Sequence, residues 1–160
     1  MDESIIVKVL NGRYKDYKKK GSIIVFETGD ENVPYIYYRI MQVGFLASET
    51  LHEFSAILEL PQKIQRKISC KIKIDGILNK RIVVEADEYF KNSIPLDILN
   101  YIRVINPETF IIKSLNKNEE NKLIIIIRKY IPRGISFSKN IRNMYDAILN
   151  ISKNIRGLLK

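Results

Sequence analysis

The last forty residues of the chain carry the feature that most constrains its fold, an apolar repeat at helical spacing. From about Ser136 to Leu159, apolar residues recur at alternating spacings of three and four, which predicts one long amphipathic helix. Lysine and arginine residues lie on its opposite side. A helix of this kind buries its apolar stripe against another element, so the rest of the chain has to supply that surface. The stripe consists of Ile141, Met144, Ile148, Ile151, Ile155 and Leu158.

Most of the remaining sequence has the alternation that is typical of β-strands. The clearest segment is "KISCKIKI", residues 67–74, where isoleucine and cysteine alternate with lysine and serine. This pattern predicts a half-buried antiparallel strand with one face in water. Residues 50–60 also fit a capped helix, and a strand is favoured because Pro61 follows so soon. The other predicted strands are 4–10, 22–28, 35–45, 81–86, 110–115 and 122–130.

These elements together predict an α+β fold. It consists of a mostly antiparallel sheet of about seven strands, one short internal helix at residues 93–104, and the long C-terminal helix packed on the sheet. No internal repeat or linker composition divides the chain. A length of 160 residues suits one domain with a substantial core, so residues 1–160 are predicted to form a single α+β domain.

Composition restricts the setting in which the chain works. No stretch approaches the roughly 20 consecutive apolar residues that a membrane span requires, so no membrane partner is expected. The start of the chain lacks the basic and apolar pattern of a secretory signal. The single cysteine, Cys70, has no partner for an internal disulfide. A reducing, cytoplasmic location is therefore expected.

Positive charge is concentrated at the two ends of the sequence. The net charge is +9, and residues 1–20 contribute +3, residues 21–121 contribute −2 and residues 122–160 contribute +8. A codon bias toward lysine would spread this charge more evenly along the chain. The clustering therefore favours a polyanionic partner, of which nucleic acid is the foremost example.

Two basic segments also contain tyrosines. These are "RYKDYKKK" at 13–20, which together with Gly21 is predicted to form a loop, and "RKYIPRG" at 128–134. Lysine and arginine neutralise phosphates, and tyrosine stacks on unpaired bases, so the mixture suits a single strand. If both segments lie at one end of the sheet, they form one patch that the basic side of the closing helix extends. The predicted nucleic-acid-binding residues are Arg13, Tyr14, Lys15, Tyr17, Lys18, Lys19, Lys20, Arg128, Lys129, Tyr130, Arg133, Lys139 and Arg142.

Other basic and acidic positions give weaker predictions. The wet strand face with Lys67, Lys71 and Lys73 is a third basic candidate, although lysines also protect exposed strands from pairing. Glu85 and Asp87 share a strand face that could hold a divalent cation, but no further residue completes such a site.

No catalytic set is legible in the sequence. The single histidine, His52, has no cysteine or histidine at metal-ligand spacing, and no glycine-rich phosphate loop is present. We therefore predict no catalytic residues, no metal ligands and no cofactor. A small-ligand cavity inside a curled sheet is neither supported nor excluded by residue order.

Two functional hypotheses follow. The first is a non-enzymatic nucleic-acid-binding protein, or a small accessory subunit of a DNA- or RNA-handling complex, that uses a basic C-terminal surface. The alternative is a protein-interaction module or homodimer assembled through the amphipathic C-terminal helix. In the alternative, the apolar stripe of that helix contacts a partner, whereas in the first hypothesis it belongs to the core.

Overall fold

The computed structural model describes residues 3–43, 49–59, 69–75, 81–86, 96–115 and 122–158. Of residues 69–75 and 81–86, the backbone alone is described. The helices are α1 (Glu3–Val9), α2 (Leu96–Ile105) and α3 (Phe137–Leu158). The strands are β1 (Asp16–Lys20), β2 (Ile23–Glu27), β3 (Tyr35–Val43), β4 (Glu49–Glu59), β5 (Ser69–Asp75), β6 (Arg81–Ala86), β7 (Thr109–Leu115) and β8 (Lys122–Pro132).

The strands form one antiparallel sheet in the order β1-β2-β3-β4-β8-β7-β5-β6. The α+β class, the antiparallel sheet and the long terminal helix are confirmed. Eight strands are present where about seven were expected. β8 contains the run "LIIII", which does not alternate and is typical of a central strand. It lies between β4 and β7 in the interior of the sheet. Its pairing with β4 extends over eleven residues, from Glu49 opposite Pro132 to Glu59 opposite Lys122.

One face of the sheet is covered by helices. The 22-residue α3 packs against β3, β4 and β8, and both α1 and α2 pack against α3. The core forms where these helices meet alternate residues of the strands, such as Phe26, Phe54 and Ile127. None of the helices in the described ranges is long and apolar enough to span a membrane.

The apolar stripe of the closing helix lies inside this core. The five described residues of the stripe are each 0 % exposed. An amphipathic helix needs a surface against which to bury its stripe, and β3, β4 and β8 supply that surface. The five residues are Ile141, Met144, Ile148, Ile151 and Ile155, and the side chain of Leu158 lies outside the described residues.

The prediction of a strand at residues 4–10 is wrong, because this segment forms α1. Its apolar residues are nearly continuous, so they satisfy helical and strand spacing equally well. The contact with α3 decides between the two. Ile6 and Leu10, four positions apart, are both 0 % exposed and occupy the single stripe that a helix buries.

The prediction that residues 13–21 form a loop is also wrong, because Asp16–Lys20 form the edge strand β1. All five residues are exposed, so the strand has no apolar alternation for a sequence pattern to reveal. It is held by backbone pairing with β2. Gly21 closes the hairpin with φ +62°, a conformation that glycine adopts without steric cost and that two-residue hairpin loops require.

Candidate nucleic-acid interface

Strand β3 divides its side chains between the two faces of the sheet. Ile36 and Tyr38 belong to the core under the helices, at 0 % and 1 % exposed. The alternate residues Tyr35, Tyr37 and Arg39 point to the opposite face because successive side chains of a strand alternate. None of the described helices packs on that side. It is called the open face below.

A groove of about 280 Å³ runs over the open face at the N-terminal end of the sheet. It lies over three consecutive antiparallel strands, β1, β2 and β3. Lys18 pairs with Val25, and Val25 pairs with Tyr37, so a lysine and a tyrosine lie on either side of a small apolar floor. Neighbouring strands are about 4.8 Å apart, which separates these two backbones by about 10 Å. The groove is lined by Asp16, Tyr17, Lys18, Lys20, Val25, Glu27, Tyr35 and Tyr37.

Beyond the groove, three charged side chains join β3, β4 and β8 on the open face. The Arg39 guanidinium donates to both carboxylate oxygens of Glu53, with Nε–Oε1 at 2.8 Å and Nη2–Oε2 at 3.4 Å. Arg128 Nε donates to Glu53 Oε2 at 2.7 Å. The Glu53 side chain is only 6 % exposed, whereas those of Arg39 and Arg128 are 42 % and 26 % exposed. The two arginines therefore shield one carboxylate from water and remain partly accessible themselves.

The pairing register aligns these charges across the sheet. Arg39 pairs with Glu53, and Glu53 pairs with Arg128. On the same face, Lys20 lies two strands from Arg39, on the far side of β2. Cations therefore recur at about 10 Å intervals from the edge of the sheet to its centre. The Tyr35 and Tyr37 rings lie beside this row because they precede Arg39 along β3.

Part of the predicted basic set lies on the open face. Lys18 and Lys20 line the groove, and so does Tyr17. Arg128, from the other end of the sequence, lies on the same face through its contact with Glu53. The two basic segments thus share one face of the sheet, but β1 and β8 are four strand spacings apart, about 19 Å.

Other members of the set lie elsewhere. Arg13 pairs with Asp146 of α3, with Nε–Oδ1 at 3.1 Å. Tyr14 packs on Phe26 with ring centroids 5.0 Å apart. Lys129 donates to the carbonyl oxygen of Ile105, at the end of α2.

The remaining members are spread around the fold. Lys15 is exposed beside the start of β1, and Lys19 alternates with the groove lysines along that strand. Tyr130 follows Arg128 by two residues on β8 and so lies on the open face, and its backbone N–H donates to the Glu108 carboxylate at 2.8 Å. Arg133 is exposed in the loop before α3.

Lys139 and Arg142 belong to α3, which lies on the covered face of the sheet. The sheet therefore separates these helix cations from the lysines of the groove. The thirteen predicted residues do not form one continuous patch.

His52 has a structural environment on the covered face. Its side chain is 0 % exposed, its Nδ1 lies 2.7 Å from the Tyr38 hydroxyl, and its ring stacks on Tyr38. Phe137 packs against the ring edge with centroids 5.6 Å apart. Burial lowers the pKa of His52 to about 4, so the ring is neutral at pH 7.

Metal-binding chemistry finds no support in the described part of the chain. The described residues contain no group of three or more histidine, cysteine, aspartate or glutamate residues that could hold an ion. The candidate cation ligands Glu85 and Asp87 lie outside the residues whose side chains are described, and so do Cys70 and the basic strand face with Lys67, Lys71 and Lys73.

Sequence reasoning did not assign Tyr35, Tyr37, Arg39 or Glu53 to a site. A signal for the first three was present, because "YIYYRI" alternates polar-tipped residues with residues of the core. Glu53 carried no such signal. Its role depends on the pairing of β4 with β3 on one side and β8 on the other.

Comparison with known proteins adds no family to these observations. No protein-family model matches the chain, and no curated protein matches it. The function is therefore inferred from the charge, the aromatic rings and the accessibility of the open face.

Proposed function

We propose that this chain is a non-enzymatic nucleic-acid-binding protein that takes a single strand on the open face of its sheet. The observation that carries the proposal is the groove in which Lys18 lies opposite Tyr37 across Val25, with Lys20 and Tyr35 also in its lining. The proposal keeps the chemistry expected from the sequence. It moves the site from a basic C-terminal surface to the face shared by β1, β2 and β3.

Two of the kinds of side chain in the groove, lysine and tyrosine, match the two parts of a nucleotide, and the carboxylates of Asp16 and Glu27 lie beside each other at the end of the groove away from Lys20. Lysine attracts a phosphate as a flexible point charge, and β1 presents Lys18 and Lys20 on the groove side of an exposed edge. A tyrosine ring stacks on any base because every base has a π-face. Tyr35 is 46 % exposed, so its ring is accessible for such stacking.

A single strand fits this arrangement better than a duplex. Bases inside a duplex are stacked on one another, so they cannot stack on Tyr35 or Tyr37 without being unpaired. A helix or a β-ribbon that enters the major groove is the usual means of reading a duplex, and the open face presents a concave groove over strands instead.

The test of the proposal is the binding of a labelled oligonucleotide of about twelve nucleotides, single-stranded or as a duplex, followed by fluorescence anisotropy over a range of salt concentrations. We expect the single strand to bind more tightly. Its affinity should fall with salt at a logarithmic slope of about −0.7 for each phosphate that is neutralised. Equal binding of the duplex, or a wild-type protein that binds neither, would contradict the proposal.

The stacking role is tested by replacing both groove tyrosines. Tyr35→Ala together with Tyr37→Ala should weaken single-strand binding by about 10- to 100-fold, because stacking contributes about 1–3 kcal/mol per base. The matched control is Tyr35→Phe with Tyr37→Phe, which keeps both rings and should keep most of the affinity. If the alanine variant binds as tightly as the wild type, the groove is not the binding site.

The alternative of an interaction module built on the C-terminal helix has no comparable support. It requires the apolar stripe of α3 to face a partner, whereas Ile148 and Ile155 are both 0 % exposed in the core of the chain. A role as an accessory subunit of a DNA- or RNA-handling complex is compatible with the proposed site.

A further inference from the structure

We infer that Arg39 and Arg128, held in place by Glu53, form a second anion site on the open face, and that its ligand is a phosphodiester of the strand bound in the groove. The inference rests on the proposed function and extends it. It adds a site at the centre of the sheet and gives the bound strand a direction across the β-strands.

Arg39 and Arg128 keep hydrogen-bond donors that Glu53 does not use. Each guanidinium carries five N–H donors in a planar fork. Three hydrogen bonds to Glu53 use three of the ten donors of Arg39 and Arg128. Both side chains remain partly exposed, at 42 % and 26 %. The cluster therefore has donors and accessible surface for a further acceptor.

The cluster also carries more positive charge than its carboxylate neutralises. One arginine neutralises one carboxylate, so a purely structural bridge to Glu53 needs either Arg39 or Arg128 but not both. Together the three groups carry a net charge of +1 on a face that solvent reaches. A phosphodiester carries a single negative charge and accepts several hydrogen bonds, which matches the charge and the donors of this cluster.

Arg39 and Arg128 lie within reach of a strand that is bound in the groove. Arg39 follows Tyr37 by two residues on β3, a distance of about 7 Å along the strand. Arg128 lies two strands further into the sheet, about 10 Å from the β3 backbone. A nucleic-acid strand that leaves the groove toward the sheet centre passes over Tyr37 and reaches the two arginines within a few nucleotides.

Glu53 acts as a positioning residue in this site. Its carboxylate accepts hydrogen bonds from both guanidinium groups, which limits their rotamers before a ligand arrives. A preorganised fork loses less conformational entropy on binding than a free arginine side chain.

The decisive experiment uses a charge-neutral double variant, Arg39→Gln with Glu53→Gln. It removes one positive and one negative charge, so the net charge stays at +9 and no buried carboxylate is left facing a missing partner. Binding is measured with single-stranded oligonucleotides of about four and about twelve nucleotides, which span the usual range of site sizes. The matched control is Lys153→Gln with Asp30→Asn, which removes an ion pair of α3 and also keeps the net charge at +9.

We expect the double variant to bind the longer oligonucleotide about 5- to 10-fold more weakly, because it loses one guanidinium fork and the carboxylate that positions Arg128. Its salt slope should stay close to that of the wild type, because Arg128 alone keeps the net charge of the cluster at +1. Its affinity for the shorter oligonucleotide should change less than 2-fold, because the groove alone accommodates that ligand. The control should behave like the wild type with both. Circular dichroism and thermal melting establish that each variant is folded.

Wild-type affinity of the double variant for the longer oligonucleotide would overturn the second site and leave the groove intact. A wild-type protein that binds neither oligonucleotide would overturn the proposed function instead. If the double variant does not fold, Arg39→Lys replaces it. That variant keeps the positive charge opposite Glu53 but loses the guanidinium fork, and it should weaken binding of the longer oligonucleotide alone by about 3-fold.

Discussion

The two faces of this sheet put the same kinds of residue to opposite uses. Tyr38 and Tyr35 lie three positions apart on β3, yet Tyr38 is 1 % exposed beneath the helices and Tyr35 is 46 % exposed on the open face. His52 and Glu53 are neighbours in β4 and also face opposite ways. The environment that each face provides, more than residue type, therefore determines what a side chain does in this protein.

The two ionisable neighbours show how differently the faces treat charge. On the covered face, His52 lies among the rings of Tyr38 and Phe137, and burial keeps it neutral. On the open face, Glu53 is almost as inaccessible, but Arg39 and Arg128 supply charge-assisted hydrogen bonds. The buried His52 is therefore neutral and the buried Glu53 is ion-paired, because burying an unpaired charge costs free energy.

The largest effect is expected from removing a tyrosine ring from one face or the other. Tyr38→Ala should lower the free energy of unfolding by about 3–5 kcal/mol because it leaves a cavity in the core. Tyr35→Ala should change it by less than about 1 kcal/mol because that ring is half exposed. Urea unfolding of the two variants measures both values. Comparable losses would mean that the open face is packed as a core is.

The second effect is a pH dependence that comes from the covered face. The pKa of His52 is about 4 in the folded chain and 6.5 ordinarily. Between these values the unfolded chain binds a proton and the folded chain does not. The stability due to neutral His52 is therefore complete above pH 6.5 and is lost as the pH falls toward 4. The full loss is on the order of 3 kcal/mol.

The measurement for this prediction is urea unfolding at several pH values between 7 and 5, where carboxylates titrate little. His52 is the sole histidine of the chain, so His52→Phe removes all histidine titration while keeping an aromatic ring beside Tyr38 and Phe137. The variant should show a flatter stability profile in this window. An equally steep profile in the variant would assign the effect to other groups.

The smallest effect is expected where the helix layer meets the sheet edge. Burial alone would raise the pKa of Asp30, but hydrogen bonds from the Asn32 and Val33 backbone N–H groups and the nearby Lys153 of α3 lower it overall. The ion pair measures 3.2 Å, and the Asp30 side chain is 25 % exposed. Asp30→Asn should cost about 0.5–1 kcal/mol at neutral pH.

The control is to compare the stability of Asp30→Asn with that of the wild type at acidic pH. A lowered carboxylate pKa gives stability that is present above the usual aspartate pKa and is lost as the pH falls through the folded value. The difference between Asp30→Asn and the wild type should therefore shrink below about pH 4. A difference that persists unchanged in acid would mean that packing, and not the carboxylate charge, holds this corner.

The sequence predicted those helices and strands in which the spacing of apolar residues follows the buried face. The helix stripe from Ile141 to Ile155 and the alternation in β3 each follow the geometry of one element. The pattern failed at α1, whose apolar run fits two periods, and at β1, which buries nothing. In both cases a tertiary contact, with α3 or with β2, decided the structure.

The candidate site was predictable only in part. Lys18 and Lys20 were chosen for their charge, and that choice needed no structure. Arg128 reaches the carboxylate that Arg39 also contacts because β8 pairs with β4. Arg128 and Glu53 are more than seventy residues apart along the chain. The packing of the whole sheet fixes such a register, so it cannot be read from the spacing of residues within one segment of the sequence.

The outer edge of β1 affects whether copies of this chain associate through the edges of their sheets. An exposed edge strand presents unpaired amide and carbonyl groups that could accept another strand. Here that edge carries Lys18, Lys19 and Lys20 in succession. A second molecule approaching edge to edge would bring two lysine triplets together, and their mutual repulsion opposes growth of the sheet into larger aggregates.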